Sequence, residues 1–133
     1  MDLDRFTAAQ ADHYATALAE LTRGAKQSHW MWFIFPQIAG LGHSDMARHY
    51  AIRDLSEARA YLAHPLLGPR YLACVAALTP HRGRSAASIM GPVDAMKLRS
   101  SLTLFDRAGA PPVVHDTLSV FFGTPDAATV RLL

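Results

Sequence analysis

The stretch Lys26-Gln27-Ser28-His29-Trp30-Met31-Trp32-Phe33-Ile34-Phe35-Pro36-Gln37 decides how this chain folds. Both tryptophans and two of the six phenylalanines fall within six residues of it, directly after a basic, an amide, a hydroxyl and an imidazole side chain. Large aromatic side chains bury much apolar surface and fix the geometry of their surroundings. Polar groups anchored on such a base are held rigidly, as a binding site requires. The segment is therefore the nucleus of the core, one wall of a pocket, or both.

The composition predicts a globular protein, with residues 1–133 forming a single helical domain. Hydrophobic residues make up 50% and charged residues 18% of the chain, which argues against disorder. No apolar run reaches the length of a membrane span, and the first residues lack the features of a secretory signal. The single cysteine, Cys74, excludes an internal disulfide and fits a reducing compartment. We therefore expect a cytoplasmic location and no contact with a membrane.

The charge pattern argues against nucleic acid as a partner. The formal net charge is only +2, although the sequence pI is about 9.0. Basic residues are scattered, and the nearest approach to a cluster is His81-Arg82-Gly83-Arg84. Binding to a nucleic acid backbone normally needs several phosphates neutralised together, so this stretch is better interpreted as a solvated loop.

Alanine and leucine dominate, β-branched residues are sparse and no period-two pattern appears, which predicts an all-α fold. We expect seven or eight short helices rather than a regular four-helix bundle. The predicted helical segments cover residues 3–23, 29–35, 44–51, 54–63, 66–78, 94–105, 113–122 and a last one from 125, with a short turn over 85–90. Predicted N-caps are Ser28, Ser44, Asp54 and Ser85. A strand over 30–35 is the alternative, because aromatic residues also favour sheets.

The first candidate site lies at the start of the aromatic segment. If residues 28–35 are helical, Lys26 and Ser28 stand at the N-terminus, where free N–H groups favour an anion. A phosphate or carboxylate is predicted to meet Lys26, Ser28 and these amides, with Trp30 and Trp32 as the pocket wall. His29 is the candidate acid or base, since imidazole titrates near neutral pH. The simpler alternative is that His29 bonds a backbone carbonyl beside a packed tryptophan.

A second polar set lies on the predicted helix 94–105. Lys97, Ser100 and Ser101 share one side of it, and Asp94 reaches Lys97 at three residues' spacing. An ammonium with two hydroxyls nearby is suited to phosphate or ribose groups, and Asp94 is a second candidate acid or base. The alternative is a polar helix face with an Asp94–Lys97 ion pair.

Other motifs exclude several kinds of site. The seven histidines show no metal-ligand spacing, and no cysteine pair accompanies them, so no metal is expected. Gly40 and Gly42 follow no strand and lack a third glycine, so they do not form a dinucleotide fingerprint, and no phosphate-binding loop is present. We expect no cofactor. Cys74 lies in an apolar stretch and is expected to be a buried, inert thiol.

The chain resembles an uncharacterised bacterial family called domain of unknown function eighteen-ten. The residues that carry the resemblance are His29-Trp30-Met31-Trp32-Phe33-Ile34-Phe35-Pro36-Gln37, Gly40-Leu41-Gly42-His43-Ser44, Asp54–Ala58, Tyr61–Pro65 and Asp94–Phe105. The resemblance covers essentially the whole chain and implies a small, mainly α-helical fold with no established activity. Some members carry a calpastatin label, but an inhibitor of that kind would be an extended disordered chain, unlike this core-rich composition.

Two functions are compatible with these patterns. The first is a small-molecule enzyme, a hydrolase or glycosidase acting on a phosphorylated or ribosylated metabolite, which requires residues 26–29 and 94–101 to converge on one cleft. A looser similarity of layout to small helical N-glycosidase-like proteins points the same way but transfers no catalytic residue. The alternative is a non-catalytic ligand-binding or interaction module, which needs an exposed aromatic patch or pocket. The expected partner is an anionic small molecule.

Overall fold

Ten α-helices and one 3₁₀ turn are the regular elements of the computed structural model, which describes residues 2–133. The predicted mainly α-helical class is confirmed, and the helices number ten instead of seven or eight. In chain order they are α1 (Asp4–Ala11), α2 (Tyr14–Arg23), α3 (Met31–Ile34), α4 (Asp45–His49), α5 (Leu55–Ala63), α6 (Leu67–Ala76), α7 (Ala86–Met90), α8 (Pro92–Arg107), α9 (Pro112–Phe122) and α10 (Ala127–Arg131), with the 3₁₀ turn Thr79–His81 between α6 and α7. None of these helices is long and apolar enough to cross a membrane.

The predicted helix 3–23 is divided into α1 and α2. Phe6, Gln10, Ala17 and Leu21 are all buried and would share one face of a continuous helix, so the apolar period carries no signal of the break. The break falls at residues 12 and 13, an Asp-His pair with weak helix propensity. It lets α1 pack against α3 while α2 packs against α6.

Most of the predicted caps are confirmed. Ser44, Asp54 and Ser85 each accept a hydrogen bond from the backbone N–H three residues later. Ser28 is the exception: α3 begins only at Met31, and the Ser28 hydroxyl donates instead to Glu20. The carboxylate of Glu20 outcompetes the cap because a charged acceptor forms the stronger hydrogen bond.

The aromatic segment forms the centre of the core, together with aromatic residues from α5, α6 and α8. The Trp30 ring lies 6.2 Å from Phe35, and Phe35 lies 5.7 Å from Tyr71. Tyr71 in turn lies 4.3 Å from Phe105 and shares a 3.0 Å hydrogen bond with the hydroxyl of Ser101. All four rings are fully buried. This cluster holds α3 and the loop after it against α8, which positions the site described below.

Gly68 stands where α6 approaches α5 most closely. A Cβ added at Gly68 would overlap the backbone carbonyl oxygen of Leu62, which cannot move without shifting α5. We expect Gly68→Ala to lower the free energy of unfolding by about 2–3 kcal/mol, measured by urea denaturation. Gly83→Ala is the control, since nothing lies within 4 Å of its added Cβ. Equal stability of the two variants would contradict the close approach.

Candidate functional site

A groove opens where the loop between α3 and α5 faces α8. Its cavity volume is about 310 Å³. We call it the Trp32 groove, and its lining residues are Trp32, Gln37, Ile38, Ala39, Gly40, Leu41, Gly42, Ala47, Arg48, Tyr50, Ala51 and Lys97. Trp32 comes from α3, Arg48 from α4 and Lys97 from α8, so three helices supply its larger side chains.

The loop that forms one side of the groove is fixed at both ends. Ile38 and Ile52 form an isolated parallel bridge, with hydrogen bonds from Ala39 N to Ile52 O (2.8 Å) and from Ile52 N to Gln37 O (2.8 Å). Both isoleucines are buried. Gly40 turns the chain between them with a positive φ of 103°, a conformation that side chains with a Cβ rarely adopt. The bridge therefore closes residues 38–52 into a loop that holds α4 over the groove.

Behind the groove, one carboxylate is held between two ammonium groups. Asp94 accepts from Lys26 Nζ at 2.9 Å and lies 3.5 Å from Lys97 Nζ. Lys26 also donates to the carbonyl of Ser28 at 2.7 Å and sits 4.9 Å from the centre of a Trp30 ring. The structure thus brings the two predicted segments, 26–29 and 94–101, into direct contact.

The two lysines have different exposure and different roles. The Lys26 side chain is 7% exposed and its ammonium is fully engaged with Asp94, Ser28 and Trp30. The Lys97 side chain is 21% exposed, and its ammonium lies 3.9 Å from the centre of a Trp32 ring. A cation over a tryptophan face is an attractive contact that also fixes the position of the charge. Of the two lysines, Lys97 lines the groove, whereas Lys26 holds Asp94 from behind.

Glu20 is the residue of this region that sequence reasoning missed. Its buried carboxylate accepts from Gln27 N (2.8 Å), Ser28 N (2.9 Å), Ser28 Oγ (2.6 Å) and the Trp30 indole N–H (2.9 Å). Burial alone would raise the pKa of Glu20, but hydrogen bonds from Ser28, Gln27 and Trp30 outweigh it and lower the pKa to about 2. The anion predicted to meet Ser28 and the neighbouring amides is therefore supplied by the chain itself.

The other predicted site residues are spread over three environments. Trp30 is 1% exposed and belongs to the core. Ser101 is also a core residue, and its hydroxyl is hydrogen-bonded to the hydroxyl of Tyr71. His29 is exposed and is not part of the groove lining. Ser100 donates to Met96 O and to Asp126 Oδ2, and it lines a neighbouring cavity. Of the predicted set, Trp32 and Lys97 line the Trp32 groove, with Lys26 and Asp94 directly behind.

Gln37, Arg48 and Tyr50 also line the groove and were not predicted. Gln37 ends the aromatic motif, so its place in that segment was an available signal. Arg48 and Tyr50 lie more than ten residues further on and reach the groove only because the Ile38–Ile52 bridge folds α4 back. No local sequence pattern predicts that contact.

Three arginines gather at a separate, open depression of about 660 Å³. Arg99, Arg107 and Arg131 line it, and the Arg99 guanidinium is already bound by Thr124 and the carbonyl of Pro125. Nearby, the hydrogen bond and the charge of Asp106 raise the pKa of His115, with Nδ1 and Oδ2 3.0 Å apart.

Two further expectations concern cysteine and metal chemistry. Cys74 is fully buried, so the predicted burial is confirmed, and burial raises the pKa of its thiol to about 12. Among residues 2–133, no three His, Cys, Asp or Glu side chains are grouped in a way that could hold a metal ion.

Comparison with known proteins supports the resemblance carried by the aromatic motif. A crystal structure of the conserved hypothetical protein Rv1873 from Mycobacterium tuberculosis superposes with a TM-score of 0.96 at 48% sequence identity. The match covers 99% of this chain and 96% of that chain. No curated protein matches this chain significantly. The family model described as "Protein of unknown function (DUF1810)" matches residues 1–133, so the chain belongs to that family.

Proposed function

We propose that the Trp32 groove binds a small anionic metabolite, phosphorylated or ribosylated. The observation that carries the proposal is the ammonium of Lys97 held 3.9 Å from the Trp32 ring in the wall of a cavity of about 310 Å³. Ligand pockets combine an apolar or aromatic wall with a few fixed polar groups. An aromatic face suits a sugar or a base, and the adjacent cation suits phosphate.

The charges around the groove favour an anion. Lys26 and Lys97 share the single carboxylate of Asp94, which leaves one positive charge in excess, and Arg48 in the groove lining adds another. A concave site lined by charges of one sign attracts ligands of the other sign. Gln37 and Tyr50 add hydrogen-bonding groups that can fix the orientation of a sugar or base.

A hydrolase of the glycosidase type is the second candidate, and the position of Asp94 favours it. Its carboxylate is 20% exposed and is held by two ammonium groups directly behind the groove. A fixed carboxylate stabilises the positive charge that develops on a sugar ring during cleavage of a glycosidic bond. A general acid is also needed, and His29 lies outside the groove lining. Binding without catalysis therefore requires fewer assumptions and is the function we place first.

We take residues 1–133 to form one domain and the protein to be located in the cytoplasm. One hydrophobic cluster with members from Leu3 to Leu118 supports the single domain, and the free, buried thiol of Cys74 fits a reducing compartment. Neither a membrane nor a nucleic acid is part of the proposed function.

Removal of the Lys97 ammonium is the direct test. A thermal-shift screen against nucleotides, sugar phosphates and NAD-derived metabolites is expected to give a ligand whose Kd rises roughly 10- to 100-fold in Lys97→Ala, because a hydrogen bond to a charged group is lost. Calorimetric titration measures the change. Arg131→Ala removes a cation from the separate arginine depression and serves as the matched control, with unchanged affinity expected.

Two further variants separate the alternatives. His29→Ala is expected to leave the affinity unchanged, and a loss of binding there would move the site to residue 29. If the protein is a hydrolase, Asp94→Asn is expected to bind the metabolite but not to cleave it. Analysis of the products formed from the metabolite by the wild type and by the variant measures this difference. If the ligand raises the melting temperature of Lys97→Ala as much as that of the wild type, the Trp32 groove is not the binding site.

A further inference from the structure

A second cavity adjoins the Trp32 groove and shares Gln37, Leu41 and Lys97 with it. Its volume is about 290 Å³, close to that of the groove. We call it the Met96 cavity, since Met96, Val93 and Ala128 form its remaining apolar lining. Lys97 is the charged side chain common to the two cavities.

The two cavities differ in chemistry. The groove presents Trp32, Tyr50 and Arg48, whereas the lining that the Met96 cavity does not share with the groove is apolar at Val93, Met96 and Ala128. Its unshared polar members, Ser100 and Asp126, are hydrogen-bonded to each other, and Asp126 Oδ2 also accepts from the amide and the hydroxyl of Thr129. The Ser100 hydroxyl and Asp126 Oδ2 therefore already have hydrogen-bond partners before any ligand binds.

The apolar side of the Met96 cavity is unusually exposed. Met96 is 72% and Val93 65% exposed, although both are large apolar side chains on the helix that contributes most to the core. Grouped exposed apolar residues beside a pocket are typical of binding surfaces. A ligand that ended at Lys97 would leave this apolar surface in water.

We propose that the ligand is a phosphate diester with two unlike ends. The anionic phosphate lies at Lys97, a polar sugar or base lies against Trp32, and an apolar ring or chain fills the Met96 cavity. Lys97 is placed for this role because its ammonium is fixed by the Trp32 ring at 3.9 Å and by Asp94 at 3.5 Å. This inference rests on the proposed function and adds the second half of the ligand to it.

The test compares two probes that differ only in the apolar end. The methyl and phenyl esters of adenosine 5′-monophosphate carry the same single negative charge. We expect the full chain to bind the phenyl ester roughly tenfold more tightly than the methyl ester, because the ring buries additional apolar surface. In Met96→Gln that preference is expected to fall to roughly twofold.

Val120→Gln is the matched control, since Val120 is an exposed apolar residue on α9 that lines neither cavity. It is expected to keep the tenfold preference. Equal affinity for the two esters overturns the inference, and so does a failure of both esters to bind. Binding of both esters with equal affinity, weakened by Lys97→Ala, would leave the proposed function intact. Absence of any shift by nucleotides and sugar phosphates would overturn the proposed function as well.

Discussion

Replacing Glu20 by alanine is expected to lower the free energy of unfolding by about 4 kcal/mol, one of the largest losses available to a single substitution in this chain. The variant removes the acceptor of four hydrogen bonds, from Gln27 N, Ser28 N, Ser28 Oγ and Trp30 Nε1. Glu20 is only 3% exposed, and its loss leaves the buried indole N–H of Trp30 without its acceptor. Urea denaturation followed by circular dichroism measures the change.

Two milder variants test whether the hydrogen bonds cause this loss. Glu20→Gln keeps one acceptor oxygen and the side-chain volume, so we expect it to lose less than half as much stability as the alanine variant. Ser28→Ala removes a single hydroxyl donor and is expected to cost about 1 kcal/mol. A Glu20→Ala variant as stable as the wild type would contradict the central role of this carboxylate.

The same carboxylate gives the protein a characteristic acid sensitivity. The pKa of Glu20 is lowered from its ordinary value of 4.5 to about 2. Above about pH 4.5 the contribution of Glu20 to stability is complete. As the pH falls toward 2, the glutamate of the unfolded chain takes up a proton before that of the folded protein, so the free energy of unfolding falls by about 3 kcal/mol. The difference in stability between wild type and Glu20→Gln is expected to shrink over this window. A pH-independent difference would argue against the lowered pKa.

Glu20 also shows why part of the site could not be predicted from the sequence. A glutamate inside an amphipathic helix is normally solvated, and nothing near Glu20 in the sequence indicates burial. The residue types around Lys26 and Ser28 predicted a ligand anion at this place, and the carboxylate found there is that of Glu20. They could not indicate that the anion comes from α2, because that depends on how Gly24 turns the chain back, with a φ of 73°.

The fold itself was predictable to the extent that it depends on local signals. The caps at Ser44, Asp54 and Ser85 and the mainly helical class follow from short-range chemistry. The division between α1 and α2 did not follow, since the apolar register continues across it. In the same way, the groove depends on the bridge between Ile38 and Ile52, a contact fourteen residues apart that no periodicity encodes.

The aromatic motif was predicted to serve as core, as pocket wall, or as both, and its two tryptophans now separate these roles. Trp30 is fully buried, while Trp32 is half-buried and lines the groove. The sequence predicted both rings as the pocket wall, whereas the structure places Trp30 in the core, where its indole N–H donates to Glu20 at 2.9 Å.

The two tryptophan substitutions are expected to have opposite main effects. Trp30→Ala should mainly lower stability, and Trp32→Ala should mainly weaken ligand binding. Trp30→Ala is expected to cost about 4 kcal/mol of unfolding free energy, because it leaves a large cavity in the core and removes a donor to Glu20. Trp32→Ala is expected to cost about 1 kcal/mol, because the ring is half-buried and packs at the edge of the core. Its main effect should be on binding, with the Kd of a groove ligand raised about tenfold or more through loss of the aromatic face and of the contact that fixes Lys97.

Chemical denaturation and calorimetric titration on the same preparations distinguish the two patterns. Trp32→Phe is the matched variant for the groove, since it keeps an aromatic face for Lys97 and for the ligand, and it should retain most of the affinity. Trp30→Phe keeps much of the apolar volume but loses the indole donor, so it should recover part of the stability lost in Trp30→Ala. If Trp32→Ala destabilised the protein as strongly as Trp30→Ala and left ligand affinity unchanged, both rings would be core residues and the groove would lose its aromatic wall. Because stability and affinity are measured independently, a general loss of folding cannot imitate the predicted separation.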